Sequence, residues 1–539
     1  MNGAEAMVEC LNKEGVSVVF GYPGAAICPF YDALSVSPIR HILVRQEQNA
    51  GHAASGYARI SGKPGVCVVT SGPGATNVIT AVASAYMDSI PIVIITGQVS
   101  SELLGRDVFQ EADITGATEP FTKHSYLVKN VEDIPRVFRE AFHIASTGRP
   151  GPVLIDMPVD IQQKQISRFE YPDSVDIVGY KPSTRGHAVQ VKRALAAVGK
   201  SKRPVICAGG GVFPSRSQKI LRRFAEKTQI PVVTTMMGIG ALPSDSPLNL
   251  GMLGSHGTKA ANAIVREADL LILCGARVGD RAMSKPGQIA EHATIIHIDI
   301  DPAEIGKNMP AHIPIVGDLK NILTRFEEET DYTADPEWTK RARELKSLPA
   351  AEASPAPGCC IDPKRFMERL SAAAPDDTVL VADVGQNQIW SANHFAIRSG
   401  RFLTSGGMGT MGYSVSAAYG AKLASPSKTV VAVCGDGSFQ MQLMELATIC
   451  QHRVDVKIIV MSNNRLGMVR ELQKNLYDNN LFGVNLDGSP DFIKLAEAYG
   501  IPAERISRME EADEAIHRLL SSKGVFLLEC AVSPEESSL

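Results

Sequence analysis

Two polar side chains that could share one cation follow successive apolar runs in the last third of the chain. Asp436, between Gly435 and Gly437, follows the run 429–434, and Asn463 ends the next run. Two parallel strands joined by a helix bring both loops to one edge of a sheet, where ligands bind. A carboxylate, an amide oxygen and a main-chain carbonyl suit the oxygen shell of Mg²⁺. The spacing predicts a site for magnesium and a diphosphate, although Gly-Asp-Gly is also an ordinary turn.

A second unit of strand, glycine turn, helix and strand lies near the amino terminus. The apolar run 66–70 leads into Gly72 and Gly74, and another apolar run covers 92–96. Upstream, 42–44 reads as a strand that enters a helix rich in small residues, with Glu47 near its start. The chain therefore looks duplicated in architecture. Glu47 could complement a helix N-terminus or take part in proton transfer.

The elements that must position these residues form three blocks of alternating strands and helices. Such alternation predicts an α/β fold with three doubly wound parallel-sheet domains. We place the first domain at 1–166 and the second at 184–326, separated by a polar segment with prolines and glycines. The charged and then Pro/Ala-rich stretch 327–360 is predicted as a linker, and 361–539 as the third domain.

Composition favours small-molecule chemistry over nucleic-acid or membrane binding. The 539 residues include 54 basic and 58 acidic ones, for a net charge of -4, and no basic run marks a polyanion-binding surface. No stretch approaches the roughly 18 apolar residues of a membrane helix. The ten cysteines contain no Cys-x-x-Cys pair, and several lie in apolar runs. We expect reduced thiols and a cytoplasmic location.

Several motifs together carry a resemblance to a known family. They include Glu47 before the alanine-rich helix, Thr-Ser-Gly-Pro-Gly-Ala-Thr-Asn at 70–77, and Gly-Asp-Gly with Asn463 downstream. Further matches are at 20–24, 109–113, 148–152, 405–412 and 466–469. The chain resembles the thiamine-diphosphate (ThDP) enzymes and, more narrowly, the acetolactate (acetohydroxyacid) synthases, from Gly3 to about Pro534.

This resemblance implies a carbon-carbon bond-forming reaction. Pyruvate would be decarboxylated and its two-carbon unit joined to a second 2-keto acid, giving 2-acetolactate or 2-aceto-2-hydroxybutyrate, the first common step of branched-chain amino acid biosynthesis. Glu47 would act on the cofactor's pyrimidine ring as a catalytic acid-base group. Gln110 would donate a hydrogen bond to oxygens that gain charge, and Phe109 would shape the acceptor pocket.

The resemblance also implies which residues hold ThDP and its metal ion. A pyrimidine-binding first domain would supply Tyr22, Pro23, Gly24, Thr70, Pro73 and Asn77. A diphosphate-binding third domain would supply Gly385, Gln386, Asn387, Gly409, Met411, Gly435, Asp436, Gly437, Ser438, Asn463, Gly467, Met468 and Val469. Mg²⁺ would be bound by Asp436, Asn463 and the carbonyl of Arg465.

A central FAD-binding domain is a further implication. The matching residues are Arg149, Gly209, Gly210, Gly211, Thr234, Leu253, Gly254, Ser255, His256, Gly275, Ala276, Arg277, Arg281, Asp299 and Asp318. Glycines permit close backbone approach, and arginine can pair with a pyrophosphate. Helix capping or turn formation is the alternative for Asp299 and Asp318. In this family the flavin is not needed to shuttle electrons, so its presence would not indicate an oxidoreductase.

Departures from the family pattern leave the acceptor substrate open. Leu472 stands where the family normally has tryptophan, and Val159 replaces the usual lysine. A ThDP carboligase or decarboxylase with another donor or acceptor is the alternative, and a non-catalytic cofactor-binding partner subunit is a third hypothesis. The sequence ends short of the tail that closes over the active site in many relatives, which could leave the site wetter.

The resemblance also bears on partners. Because the pyrimidine half of the site comes from a neighbouring subunit in these enzymes, a homodimer or homotetramer is expected. A regulatory small subunit is a candidate partner. We expect 2-keto acids as ligands and neither nucleic acid nor membrane as partners.

Overall fold

The computed structural model describes residues 1–283, 286–348 and 360–539, which contain three parallel sheets of six strands each. The strands are almost entirely buried, because helices cover both faces of each sheet. This arrangement confirms the predicted α/β class with three doubly wound sheets. Among the helices of the described residues, none combines the length and the apolar character needed to cross a membrane.

The first sheet has the strand order β2-β1-β3-β4-β6-β5. Its strands are β1 (Val18–Tyr22), β2 (Arg40–Leu43), β3 (Gly65–Val69), β4 (Ile92–Gln98), β5 (His124–Leu127) and β6 (Val153–Pro158). The helices are α1 (Gly3–Lys13), α2 (Cys28–Ser35), α3 (Glu47–Ser61), α4 (Pro73–Asn77), α5 (Ile79–Met87), α6 (Ile114–Thr118), α7 (Ile134–Ser146) and α8 (Val159–Gln163). The order reverses between β1 and β3, so their carboxyl ends flank a crevice.

The middle sheet has the order β12-β11-β10-β7-β8-β9. Its strands are β7 (Pro204–Ala208), β8 (Val232–Thr234), β9 (Asn249–Met252), β10 (Leu270–Cys274), β11 (Thr294–Asp299) and β12 (Ile313–Val316). The helices are α9 (Ala188–Lys200), α10 (Gln218–Thr228), α11 (Lys259–Glu267), α12 (Pro286–Ala290), α13 (Leu319–Glu329) and α14 (Pro336–Ser347). Such an order, with three strands on each side of a central reversal, is typical of dinucleotide-binding folds.

The third sheet, in the order β14-β13-β15-β16-β18-β17, repeats the topology of the first. Its strands are β13 (Val379–Ala382), β14 (Arg401–Leu403), β15 (Val430–Gly435), β16 (Lys457–Ser462), β17 (Ala503–Ile506) and β18 (Phe526–Ala531). The helices are α15 (Pro363–Ala373), α16 (Gln386–His394), α17 (Ser414–Ala424), α18 (Asp436–Gln440), α19 (Glu445–His452), α20 (Gly467–Leu476), α21 (Phe492–Ala498) and α22 (Ala512–Ser521). The duplication inferred from the glycine turns therefore extends to the whole strand order.

Part of the segment predicted as a linker is folded. Helix α14 begins after Asp335, whose side chain accepts a hydrogen bond from the Glu337 amide, and it buries Trp338 and Leu345 in the core of the middle sheet. The rest of that prediction, 349–359, lies outside the described residues.

The first and third sheets share one core through helices α3 and α17. Both helices are rich in small residues, and a Cβ atom added to Gly56 would collide with the carbonyl oxygen of Ala417. A Cβ atom on Gly420 would likewise collide with the carbonyl oxygen of Ala53. The close contact of these two backbones therefore requires glycine at both positions, and it fixes the start of α3 relative to the third sheet.

Replacing Gly56 with alanine tests this contact. Because the added methyl group would meet backbone rather than a flexible side chain, we expect Gly56→Ala to destabilise the protein by about 1–3 kcal/mol. The shift in the midpoint of urea unfolding measures this effect. Gly199 in α9 has open space around its Cα atom, so Gly199→Ala is the matched control and should stabilise the helix by about 0.5 kcal/mol. If Gly56→Ala and Gly199→Ala shifted the unfolding midpoint equally, α3 and α17 would not pack as closely as the structure shows.

Candidate functional site

A cavity lies where the strand order of the third sheet reverses, between the carboxyl ends of β13 and β15. The loops after β13, β15 and β16 and the start of α20 enclose it. The lining residues are Val384, Gly385, Gln386, Asn387, Trp390, Met411, Gly435, Asp436, Gly437, Ser438, Met461, Asn463, Arg465, Leu466, Gly467, Met468 and Val469. All of the predicted third-domain cofactor residues except Gly409 are in this lining. Val384, Trp390, Met461 and Leu466 are lining residues that sequence reasoning missed, because apolar residues beside a turn carry no distinctive pattern.

Asp436 and Asn463 are adjacent, as their spacing predicts. One Asp436 carboxylate oxygen, Oδ2, accepts hydrogen bonds from the main-chain amides of Asn463 (3.1 Å) and Asn464 (2.5 Å). The Asn463 side-chain oxygen accepts a bond from the Arg465 amide at 3.1 Å. Burial raises the pKa of Asp436 to about 6, against the lowering effect of these amides. A bound divalent cation would favour the ionised carboxylate, so the donor set and its burial suit Mg²⁺.

Side chains of the cavity wall pack closely against two glycines. A Cβ atom on Gly467 would collide with the side-chain amide of Gln386, and one on Gly437 would lie 2.9 Å from Leu466 Cδ2. Asn387 is buried and donates hydrogen bonds to the carbonyl oxygens of Asp383 and Val433. Asn387 thus ties the ends of β13 and β15 together at the crevice where a diphosphate is predicted to bind.

Asp383 is a buried carboxylate that organises this wall and was not singled out from the sequence. Its Oδ1 accepts the amides of Val384 and Gly412, and its Oδ2 accepts the Ser414 amide and the side-chain amide of Gln442. Burial raises its pKa, and the hydrogen bonds oppose that shift. One side chain therefore holds the loop that carries Met411 against the end of β13. Its position directly after a buried strand is the signal that could have identified it.

The predicted first-domain residues gather at the equivalent reversal, between the ends of β1 and β3. Glu47 is the first residue of α3, and its carboxylate accepts a hydrogen bond from Asn77 Nδ2 at 3.0 Å. A Cβ atom on Gly24 would lie 2.5 Å from Thr70, and one on Gly74 would lie 2.7 Å from it. Thr70 Oγ1 is buried and has no hydrogen-bond partner within the described residues. An orphaned hydroxyl in a glycine-lined crevice is suited to a polar ligand.

Phe109 and Gln110 lie on a loop beside this crevice. Gln110 has a φ of 59°, and its Cβ would be 2.9 Å from a Cβ atom on Gly72. Phe109 is 86 % exposed and Tyr22 is 39 % exposed, while Pro23 and Pro73 also face solvent. The structure therefore brings Glu47, Gln110, Thr70 and Asn77 to one surface whose aromatic residues remain uncovered within the single chain.

The two halves of the predicted cofactor site do not meet in the chain. The residues that line the third-domain cavity all come from beyond residue 383, and none comes from the described part of the first domain. Glu47 and its neighbours instead form a separate exposed surface.

A buried carboxylate connects the start of α3 to the third sheet. Glu445 accepts hydrogen bonds from the Arg45 amide (2.9 Å), Asn49 Nδ2 (3.1 Å) and the Tyr419 hydroxyl (3.1 Å). Burial raises the pKa of Glu445. Arg45 and Asn49, which lie on either side of Glu47 in the chain, therefore fix its position. Glu47 itself is not part of the third-domain cavity lining.

The predicted flavin residues partly converge at the reversal of the middle sheet, between β7 and β10. The Gly209 and Gly211 amides donate to the carbonyl oxygens of Cys274 and Gly275, so the two glycine turns lie against each other. The Leu253 amide donates to the Thr234 carbonyl, and the Ser255 amide donates to the Arg281 carbonyl. Glycine turns at a strand-order reversal are typical of dinucleotide-binding crevices. Gly210, Ala276 and Arg277 belong to the same turns, and Gly254 and His256 to the loop around Ser255.

Three other predicted flavin contacts have protein partners. The Arg149 guanidinium pairs with Asp301 (3.2 Å) and Glu304 (2.8 Å). Asp318 caps α13 by accepting the Asn321 amide, which is the capping alternative stated for it. Asp299 accepts the Asp301 amide, and burial raises its pKa to about 6. Each of these three side chains therefore has a hydrogen-bond or ion-pair partner within the protein.

The two residues that differ from the family pattern, Leu472 and Val159, lie in different domains. Leu472 is on α20, about one turn beyond Val469 in the cavity lining, and is 42 % exposed. Val159 begins α8 in the first domain. The structure therefore places Leu472 on a surface where a second molecule could reach it, and it leaves Val159 half-buried.

Comparison with known proteins agrees with this division into three units. Residues 1–117, 191–326 and 383–530 match the family models for the N-terminal TPP binding domain, the central domain and the C-terminal TPP binding domain of thiamine pyrophosphate enzymes.

The full chain is also similar to named proteins. A probable acetolactate synthase large subunit of Methanocaldococcus jannaschii is 48% identical, over 100% of this chain and 93% of the relative. The acetolactate synthase isozyme 2 large subunit of Escherichia coli is 43% identical, over 100% and 96%. The acetolactate synthase large subunit of Corynebacterium glutamicum is 45% identical, over 96% and 84%.

Replacing Asp436 with asparagine tests the metal site. The variant keeps the size of the side chain but loses the charge, so we expect its affinity for Mg²⁺ to fall at least about tenfold in the presence of ThDP. Isothermal titration with Mg²⁺ measures this. Asp513→Asn, at a residue whose side chain is 73% exposed, is the charge-matched control and should bind like the unmodified protein. Unchanged affinity in Asp436→Asn would remove Asp436 from the metal site.

Proposed function

The chain belongs to the acetolactate synthase large subunits within the thiamine pyrophosphate enzyme family, and from that premise we propose that it is a ThDP-dependent acetolactate synthase. It decarboxylates pyruvate and joins the two-carbon unit to a second 2-keto acid. Pyruvate as the acceptor gives 2-acetolactate. A 2-keto acid with one more carbon gives 2-aceto-2-hydroxybutyrate.

The observation that carries this proposal is the third-domain cavity, where Asp436 and Asn463 meet at a strand-order reversal within a matched TPP-binding domain. An aspartate, an asparagine and the Arg465 carbonyl form an oxygen donor set for Mg²⁺. The glycine turns around Gly435 and Gly385 allow backbone to approach a diphosphate.

The residues of the chain would bind the cofactor and handle protons. When bound, ThDP supplies a carbon nucleophile and an electron sink for decarboxylation and carbon-carbon bond formation. Glu47, which accepts a hydrogen bond from Asn77, would form a hydrogen bond with the pyrimidine ring and so control the protonation of that ring. Gln110, on the neighbouring loop, would donate to the oxygen that gains negative charge on the keto acid. Met411 would pack against the cofactor from the cavity wall.

A homodimer is the smallest assembly that could complete the site. Glu47 and the third-domain cavity are separate in one chain, and apolar residues near both remain exposed, including Phe109 at 86 % and Leu476 at 69 %. A second copy that placed its first domain over the cavity would cover such surface and supply Glu47. A tetramer would repeat this contact.

FAD and a small subunit are further parts of the proposal. The middle sheet has the dinucleotide-binding strand order and paired glycine turns at its reversal, which would accept the FAD pyrophosphate, with Arg277 and Arg281 nearby. The name large subunit, carried by the relatives, is the basis for proposing a regulatory small subunit.

A product assay tests the function directly. With pyruvate, ThDP, Mg²⁺ and FAD, we expect the protein to release carbon dioxide and form 2-acetolactate, identified by mass spectrometry. When 2-ketobutyrate is added, it should compete with pyruvate as the acceptor and yield 2-aceto-2-hydroxybutyrate. Acetaldehyde as the only product would instead indicate a decarboxylase, and no turnover with full ThDP occupancy would indicate a non-catalytic subunit.

Glu47→Gln tests the proton-transfer role. Glutamine keeps a hydrogen-bonding side chain but cannot exchange a proton, so turnover should fall at least about a hundredfold. Binding of ThDP and Mg²⁺ should change far less, because Glu47 is outside the diphosphate cavity. Glu102→Gln, at an exposed position, is the control. Near-normal turnover in Glu47→Gln would refute the assignment.

A further inference from the structure

The chain's last residues lie against the wall of the third-domain cavity. The Glu536 carbonyl accepts a hydrogen bond from Gln386 Nε2 at 2.8 Å, and the Ser537 carbonyl accepts one from the Trp390 indole at 2.9 Å. The Ser538 amide donates to Glu471 on α20 at 2.7 Å. We call residues 535–538 the carboxyl-terminal latch. Its main chain therefore contacts two residues of the cavity lining and the helix that borders the cavity.

Ion pairs hold the latch in place. Glu536 pairs with Lys364 on α15 at 3.2 Å, and both side chains are only 12% exposed. Glu535 pairs with Arg470 on α20, whose side chain is 9% exposed. Because both side chains of the Glu536–Lys364 pair are largely shielded from water, reversing the charge of Glu536 should repel the latch more strongly than at a surface pair.

A chain of amide hydrogen bonds connects the latch to the metal site. Gln386 Nε2 donates to the latch, Gln386 Oε1 accepts from Asn463 Nδ2 at 3.1 Å, and Asn463 Oδ1 accepts from the Arg465 main-chain amide at 3.1 Å. A main-chain carbonyl only accepts and a main-chain amide only donates. The groups at the two ends therefore fix the orientation of both side-chain amides. If the Glu536 carbonyl were removed, Gln386 would lose the partner that holds its oxygen toward Asn463.

We propose that the carboxyl-terminal latch positions Asn463 for metal binding through Gln386, so that metal affinity depends on whether the latch is seated. The inference rests on the proposed function, since it assigns Asn463 to the metal site of a ThDP enzyme. Gln386 acts as a positioning residue through its side-chain amide. The latch contributes through its main chain, and Lys364 contributes by holding Glu536.

Charge reversal at Glu536 tests the latch in the full-length protein. Glu536→Lys places two ammonium groups together and should unseat the latch. We expect the Mg²⁺ concentration for half-maximal ThDP binding to rise about tenfold, as for the loss of other groups that orient metal ligands. The double variant Lys364→Glu with Glu536→Lys restores an opposite-charge pair and should recover most of the affinity. Glu510→Lys, at an exposed residue of the same domain, is the control for charge alone.

Trp390 provides a readout that does not depend on turnover. The chain has two tryptophans, and in a Trp338→Phe background Trp390 is the only one. When the latch leaves, the Trp390 indole loses its bond to Ser537, so its emission should shift to longer wavelength in Glu536→Lys and return in the double variant.

The outcomes separate this inference from the proposed function. If the unmodified protein binds ThDP without needing a divalent cation, both fail. If its binding needs Mg²⁺ but Glu536→Lys leaves the half-maximal concentration unchanged, the latch proposal fails and the proposed function stands, whether or not Trp390 emission moves. The latch proposal would also be overturned if Glu536→Lys raised the half-maximal Mg²⁺ concentration and the double variant did not lower it again. The loss of metal affinity would then not come from the broken ion pair.

Discussion

The reversal of strand order within each parallel sheet is the constraint on which the sites of this protein depend. Where adjacent strands send their helices to opposite faces, their carboxyl ends flank a crevice that no helix covers. The first sheet reverses between β1 and β3, the middle sheet between β7 and β10, and the third between β13 and β15. Glycine turns follow the strands at each reversal. Each of the three candidate ligand sites lies in one of these crevices.

Buried carboxylates fix the loops around these crevices. Asp383 accepts four hydrogen bonds and joins the end of β13 to the loop that carries Met411. Glu445 accepts three hydrogen bonds and joins the third domain to the start of α3. A carboxylate without exposed surface is costly to ionise, and the several donors around it offset that cost. The result is a set of loops whose backbone is fixed before any ligand arrives, which suits a site that must orient a charged cofactor.

The same packing that fixes Glu47 also keeps it away from the cavity of its own chain. Helix α3 lies against α17 through glycines that tolerate no side chain, so the first domain cannot turn to cover the third-domain crevice. In the proposed homodimer a second copy completes the site, and the exposed aromatic residues of the first domain and apolar residues of α20 are suited to such an interface. In this arrangement, assembly and cofactor binding depend on each other, since neither half of the site is closed alone.

The sequence by itself determined the fold class and predicted that Asp436 and Asn463 are adjacent, while the family resemblance supplied the other predicted residues of the third-domain cavity. Alternation of apolar runs with helical stretches indicated parallel sheets, and the spacing of Asp436 and Asn463 predicted that they meet at one sheet edge, because the carboxyl ends of parallel strands lie at the same edge. It could not show that α14 folds within the predicted linker, that Asp383 gathers four donors, or that the latch reaches Gln386. Those contacts join residues far apart in the chain. The position of Asp383 after a buried strand marks it as a candidate polar residue at the sheet edge but does not reveal its partners, and Glu536 lies in no local pattern that sets it apart from a surface residue. Only the tertiary structure decided them, since long-range hydrogen bonds depend on how whole sheets pack, which no single stretch of sequence encodes.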